Sequence, residues 1–85
     1  MKKLVVEDEN EGLVKLLGER VTFFGLNYIY TGKLVGVNDM DVKIEDAAIV
    51  YETGAFDAKD WSDAQKLPNP VYVMLRTVES YTVIR

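Results

Sequence analysis

From Glu19 onward the apolar side chains recur every second residue, and that period commits most of the chain to strands. Val21 and Phe23 alternate with Arg20 and Thr22, Gly25-Leu26-Asn27 supplies a turn, and Tyr28 to Val37 is rich in aromatic and β-branched residues. Gly32 and Gly36 interrupt that second run, and glycine inside a strand marks a bulge or a sharp bend. After the Asn38-Asp39 turn signal, Val42 and Ile44 alternate with Lys43 and Glu45, and apolar residues resume from Ala47 to Tyr51. The inward parity changes near Glu45-Asp46, which fits either a bulge or a fully buried strand end. Two short strands close the chain: Val71, Val73 and Leu75 alternate with Tyr72, Met74 and Arg76, then Tyr81 and Val83 with Thr82 and Ile84.

Two segments depart from this period. Leu13, Val14, Leu16 and Leu17 have the spacing of one helical face, with Asn10 as N-cap and Gly18 as C-terminal stop. A helix over about 10–18 is too short to stand alone and must dock on the sheet. Residues 52–70 form a connection longer than most hairpin loops. Ser62 and Gln65 fit a capping box for a short helix over Ser62 to Leu67, ended by Pro68-Asn69-Pro70, with Phe56, Trp61 and Leu67 as apolar anchors. The expected architecture is mainly β, a short N-terminal helix followed by a strongly bent five-stranded antiparallel barrel.

Length limits what else the chain can be. Its 85 residues suffice for one domain over 1–85, and a domain this small gains much from disulfides, a metal or self-association. Without cysteine there are no disulfides, and without histidine as well there is no soft or imidazole-rich metal site. Self-association remains. The start, Met1-Lys2-Lys3-Leu4-Val5-Val6, imitates a signal peptide, but Glu7, Asp8 and Glu9 cut the apolar run short. No stretch has the length to cross a bilayer, so the expectation is a soluble, cytoplasmic protein without a membrane partner. The net charge of -4 confines any nucleic-acid site to a local patch, since Lys and Arg supply most phosphate affinity.

In order and spacing, four stretches resemble the Sm-like family. Gly32-Lys33-Leu34-Val35-Gly36-Val37 is similar to its Gly-x-Leu-x-Gly-hydrophobic stretch in the second strand. Met40-Asp41-Val42-Lys43-Ile44-Glu45-Asp46-Ala47 is similar to its Met-Asn followed by alternating aliphatics and an acidic pair, and Val73-Met74-Leu75-Arg76 to the start of its second motif. Leu17-Gly18-Glu19-Arg20-Val21 resembles the exit from helix into first strand, so the likeness covers roughly residues 10–85 apart from the inserted loop. The turn between Gly36 and Met40 is one residue shorter than the family's pattern. Asp41 stands where the family often has a base-contacting asparagine, and Thr77 where glycine usually follows the arginine.

The resemblance implies an SH3-like barrel assembled into a homo-oligomeric ring, with RNA held at the pore rim where the turns after the second and fourth strands meet. Asp39, Met40, Asp41, Arg76 and Thr77 are the residues it assigns to that rim. Arg76 suits a phosphate or a base face, Met40 suits a base face less well than an aromatic, and Asp41 only accepts hydrogen bonds. Turn chemistry accounts for Asp39 and Asp41 without any ligand, and Arg76 is equally readable as a solvated strand-end charge. Tyr28, Tyr30, Phe24 and Lys33 are a second candidate face for single-stranded RNA, for which core packing is the competing reading.

A physical argument leads to the ring separately. An open bent barrel has unpaired edges at its last strands, and pairing them between copies makes a heterologous contact that closes into a cycle if the rotation fits; the resemblance implies about five to seven subunits. Tyr72, Met74, Tyr81 and Val83 would then be interface residues, or else ordinary half-exposed strand positions. The chain has no histidine or cysteine to act as base or nucleophile and no paired carboxylate pattern, so an enzyme is not expected, and no cofactor is implied. Three functions remain: an RNA-binding ring, an adaptor ring that binds protein through the 52–70 loop, and a monomeric SH3-like peptide module, which a mass measurement in solution separates from both.

Overall fold

A computed structural model of the chain describes residues 3–85. Met1 and Lys2, the basic start of the leader-like stretch, lie outside the described residues. In chain order the elements are helix α1 (Gly12–Lys15), strands β1 (Arg20–Gly25), β2 (Ile29–Val37), β3 (Asp41–Glu52), β4 (Asp63–Lys66) and β5 (Val71–Met74), a 3-10 turn (Leu75–Thr77), and β6 (Val78–Thr82). All six strands form one antiparallel sheet in the order β4-β3-β2-β1-β6, with β5 also paired to β3.

The mainly β reading holds, with two differences. There are six strands where five were expected, and the helix is a single turn, much shorter than 10–18. Asn10 is not its cap. The Glu7 carboxylate takes that role from outside, accepting from the backbone N–H of Leu13 at 2.9 and 3.0 Å and of Val14 at 3.4 Å. Gly18, at φ 90, ends the segment in the left-handed conformation that favours glycine.

The sixth strand comes from the long connection. Residues 63–66 pair with the far half of β3 (Ala48 with Lys66, Val50 with Ala64), so the helix expected over Ser62 to Leu67 does not form. A capping box contributes about 1 kcal/mol, whereas the edge of β3 offers a row of backbone partners. β4 and β5 run antiparallel along one neighbour, β4 on its far half and β5 (Val42 with Val73, Ile44 with Val71) on its near half. Pro68-Asn69-Pro70 separates them, as proline lacks the N–H a ladder needs.

Opposite that break β3 bulges. Thr31 pairs with Ala48 but Lys33 with Glu45, which leaves one extra residue on β3, and Asp46 sits at φ 48. Inward parity therefore passes from Val42 and Ile44 to Ala47, the change foreseen at Glu45-Asp46. The core comprises Leu13, Val21, Phe23, Leu34, Val42, Ile44, Ala47 and Val73, with Leu16, Leu67, Leu75 and Tyr81 among the half-buried residues around it.

The other face of the sheet is partly covered too. Thr22 and Thr31, cross-strand partners, are both buried. Their hydroxyls lie 3.0 Å apart, and they donate to the carbonyl oxygens of Ile84 (2.6 Å) and Arg85 (3.0 Å) respectively. A buried hydroxyl left unpaired would cost about 1–3 kcal/mol, so these bonds fix the final residues against the sheet. Among the described residues no helix is long and apolar enough to cross a membrane.

Candidate nucleic-acid interface

The turn between β2 and β3 is built on one side chain. Asn38 Oδ1 accepts from the backbone N–H of Met40 (2.7 Å) and Asp41 (2.9 Å), while its Nδ2 donates to the Asp41 carboxylate at 2.9 Å. The backbone closes the same turn, Asn38 N–H donating to the Asp41 carbonyl at 3.0 Å. Asp41 thus has a structural partner, as aspartate in a tight turn commonly does.

This turn lies against the 3-10 turn. The backbone N–H of Leu75 donates to the Met40 carbonyl at 2.9 Å, and Asp41 is paired with Met74 across the β3–β5 ladder. The two turns thereby meet at Met40 and Leu75, with Arg76 next in the chain, whereas Thr77 lies against Gly25 and lines the cavity of Tyr28 and Tyr30. Met40 is 68% exposed, and Arg76 makes no hydrogen bond or ion pair among the described residues. Thr77 uses its hydroxyl locally, donating to the Met74 carbonyl at 2.8 Å.

One cation stands here among several acids. A groove of about 350 Å³ beside the turn is lined by Glu7, Leu13, Val37, Asn38, Asp39 and Leu75. Each chain therefore offers one exposed apolar side chain and one guanidinium, which suits a base face and a phosphate, next to carboxylates that repel phosphate. Glu7 has a further neighbour. The Tyr81 hydroxyl is held above its usual 10.0, first by burial and then by the negative charge and hydrogen bonding of Glu7.

The other sequence candidates separate. Tyr28 and Tyr30 lie with ring centroids 6.1 Å apart, lining with Phe23 and Val73 an apolar cavity of about 230 Å³. Lys33 pairs with Arg20, on the face that carries Thr22 and Thr31, and Phe24 shares that face. The four residues do not make one surface. Of the expected edge residues, Tyr72 is 62% exposed on β5, with the Lys43 ammonium 5.8 Å from its ring, and Met74 and Val83 are exposed as well. Tyr81 does not face outward: it packs on the core with its ring 6.1 Å from that of Phe23.

Sequence reasoning missed one constellation altogether. The Arg85 guanidinium lies 4.0 Å over the Trp61 ring, inside a loop whose carbonyls it bonds. No local pattern connects the two residues, because their proximity depends on β4 and β6 both being placed. Among the described residues no group of three His, Cys, Asp or Glu side chains is arranged to hold a metal ion. No protein-family model matches the chain, and no curated protein matches it.

Proposed function

We propose that the chain is a subunit of a homo-oligomeric ring of the Sm-like kind, an SH3-like barrel that holds single-stranded RNA where its 38–41 and 75–77 turns meet. The observation that carries this reading is the state of the sheet's ends. β6 is bonded to β1 and β5 to β3, and among the described residues neither has a partner on its other side. Such edges template pairing with another chain, and exposed Tyr72, Met74 and Val83 lie along or just beyond them. Joining β5 of one copy to β6 of the next uses both edges and closes a cycle. The rim's single arginine per chain then recurs around the ring, and repeated weak contacts on one strand of RNA multiply into useful avidity.

Native mass spectrometry with and without a short uridine- or adenine-rich RNA tests both parts. A ring gives a multiple of 9.6 kDa, and a lone 9.6 kDa species at high concentration overturns the assembly. Arg76→Ala is expected to weaken RNA binding and reduce its salt dependence; unchanged affinity removes the site.

A second reading is favoured by the carboxylates around the rim and by Phe56, 59% exposed on the long connection. It is a ring that serves as a protein adaptor. It predicts assembly without RNA binding at physiological salt.

A further inference from the structure

The segment between β3 and β4 turns its backbone carbonyls toward one point, and a guanidinium occupies it. Arg85 Nη1 donates to the carbonyls of Ala58 (2.7 Å), Asp60 (3.0 Å) and Ala55 (3.1 Å), and Nη2 to that of Thr53 (3.3 Å). Nη1 carries two N–H groups, so one of its three bonds is shared between acceptors. The indole of Trp61 closes one side, its centroid 4.0 Å from the guanidinium carbon. A planar cation stacked on an aromatic face and bonded at its edge by carbonyls is the geometry that selects guanidinium over ammonium.

Every acceptor belongs to the loop, and the ligand is joined to β6 through residues 83–85, which lie outside any strand. Arg85 is an imperfect ligand for the site. Its Nε and the Nε1 of Trp61 are both buried without a partner, and a buried unpaired N–H costs about 1–3 kcal/mol. An arginine arriving from another direction need not bury its own Nε–H in this way, whereas the Trp61 indole N–H, a donor, stays unpaired with any guanidinium.

We propose that Thr53–Trp61 is a guanidinium-binding site, occupied in the resting chain by Arg85 and able to take the arginine side chain of another polypeptide when Arg85 withdraws. The tether makes Arg85 a strong competitor, because a ligand on a short link acts at an effective concentration on the order of millimolar. While Arg85 is seated, the loop is closed over the Thr22–Thr31 face. A visiting arginine would leave the loop ordered and displace the Arg85 side chain, while the Thr22 and Thr31 hydroxyls keep hold of the Ile84 and Arg85 carbonyls.

The test removes the tethered ligand and supplies it in solution. Trp61 is the only tryptophan, so indole fluorescence reads this site alone. In Arg85→Ala, N-acetyl-arginine-amide is expected to change the fluorescence saturably, with half-saturation on the order of millimolar for a ligand of this size. The wild-type chain should need about twofold more or beyond, because Arg85 competes at a similar effective concentration. N-acetyl-lysine-amide, equally charged but without a fork, should do nothing. Should the alanine variant lose its strand signal in circular dichroism, Arg85→Lys serves instead, since it keeps the charge and the aliphatic stem. An unresponsive folded variant, an equal response from wild type, or an equal response to the lysine compound overturns the proposal.

Discussion

The carbonyl oxygen of Glu45 passes 3.0 Å from the point where a side chain on Gly32 would begin. The Cβ of Ile44 and the Cα of Ala47 stand at 3.1 and 3.2 Å from the same point, so β3 crosses β2 at its bulge with no room for a methyl group. Two of these three neighbours are backbone atoms of a paired strand and cannot swing away. Gly32→Ala is therefore expected to destabilise the fold by about 1–3 kcal/mol, measured by urea unfolding. Gly36→Ala meets only the Lys43 Cβ at 3.5 Å, an ordinary contact, and should cost clearly less.

That crossing also marks how far the sequence could be read. Gly32 inside a strand period and the parity change at Glu45-Asp46 both pointed to it, since each is a local break in an alternating pattern. The spans of β1 and β2 followed from alternation in the same way, whereas alternation carried β5 on to Arg76, and the chain leaves the strand for a 3-10 turn at Leu75. The segment 63–66 was misread because its local signal, Ser62 with Gln65, favours a helix, while its actual partner is an edge of β3 supplied by distant residues. The rim was half legible: turn residues at Asn38 and Asp39 were evident, but Asn38 as the bonding hub and Glu7 as the outside cap required the fold. Arg85 over Trp61 left no trace in any short window.

Asn38 should be the most sensitive position of the rim turn. Its side chain holds the backbone N–H of Met40 and Asp41 and the Asp41 carboxylate at once. Asn38→Ala is expected to cost about 1–2 kcal/mol and to loosen the Met40–Leu75 contact, visible as faster amide exchange at Leu75. Asn38→Asp keeps the acceptor but sets two carboxylates together, so its deficit should shrink as salt rises.

Tyr81 gives the fold an alkaline limit. Burial and then Glu7 raise its folded-state hydroxyl above the unfolded value of 10.0, so the folded chain holds this proton more tightly. Its contribution is complete below pH 10.0 and is lost as pH rises through the higher folded value. Tyr81→Phe should flatten the decline of stability on the alkaline side while leaving neutral stability within about 1 kcal/mol. Glu7→Gln should flatten it less, because burial is the larger cause. Thermal unfolding from neutral to alkaline pH checks both; an unchanged alkaline limb in Tyr81→Phe would rule out the assignment.

The proposed edge-to-edge assembly yields the sharpest expectation. Met74, on the exposed face of β5, and Val83, just beyond β6, are exposed apolar side chains that contribute little to the chain's own core. Met74→Glu should consequently leave the monomer folded yet break the ring, because a carboxylate desolvated in an interface without a partner costs several kcal/mol. If β5 of one copy meets β6 of the next, Val83→Lys in the same chain brings an opposite charge to that junction and should restore part of the assembly. Val83→Lys alone should weaken it. Sedimentation of the three variants decides the matter: dissociation by each single change with partial recovery in the double variant fits the heterologous contact, whereas three unaltered masses would mean that these edges are not where copies meet.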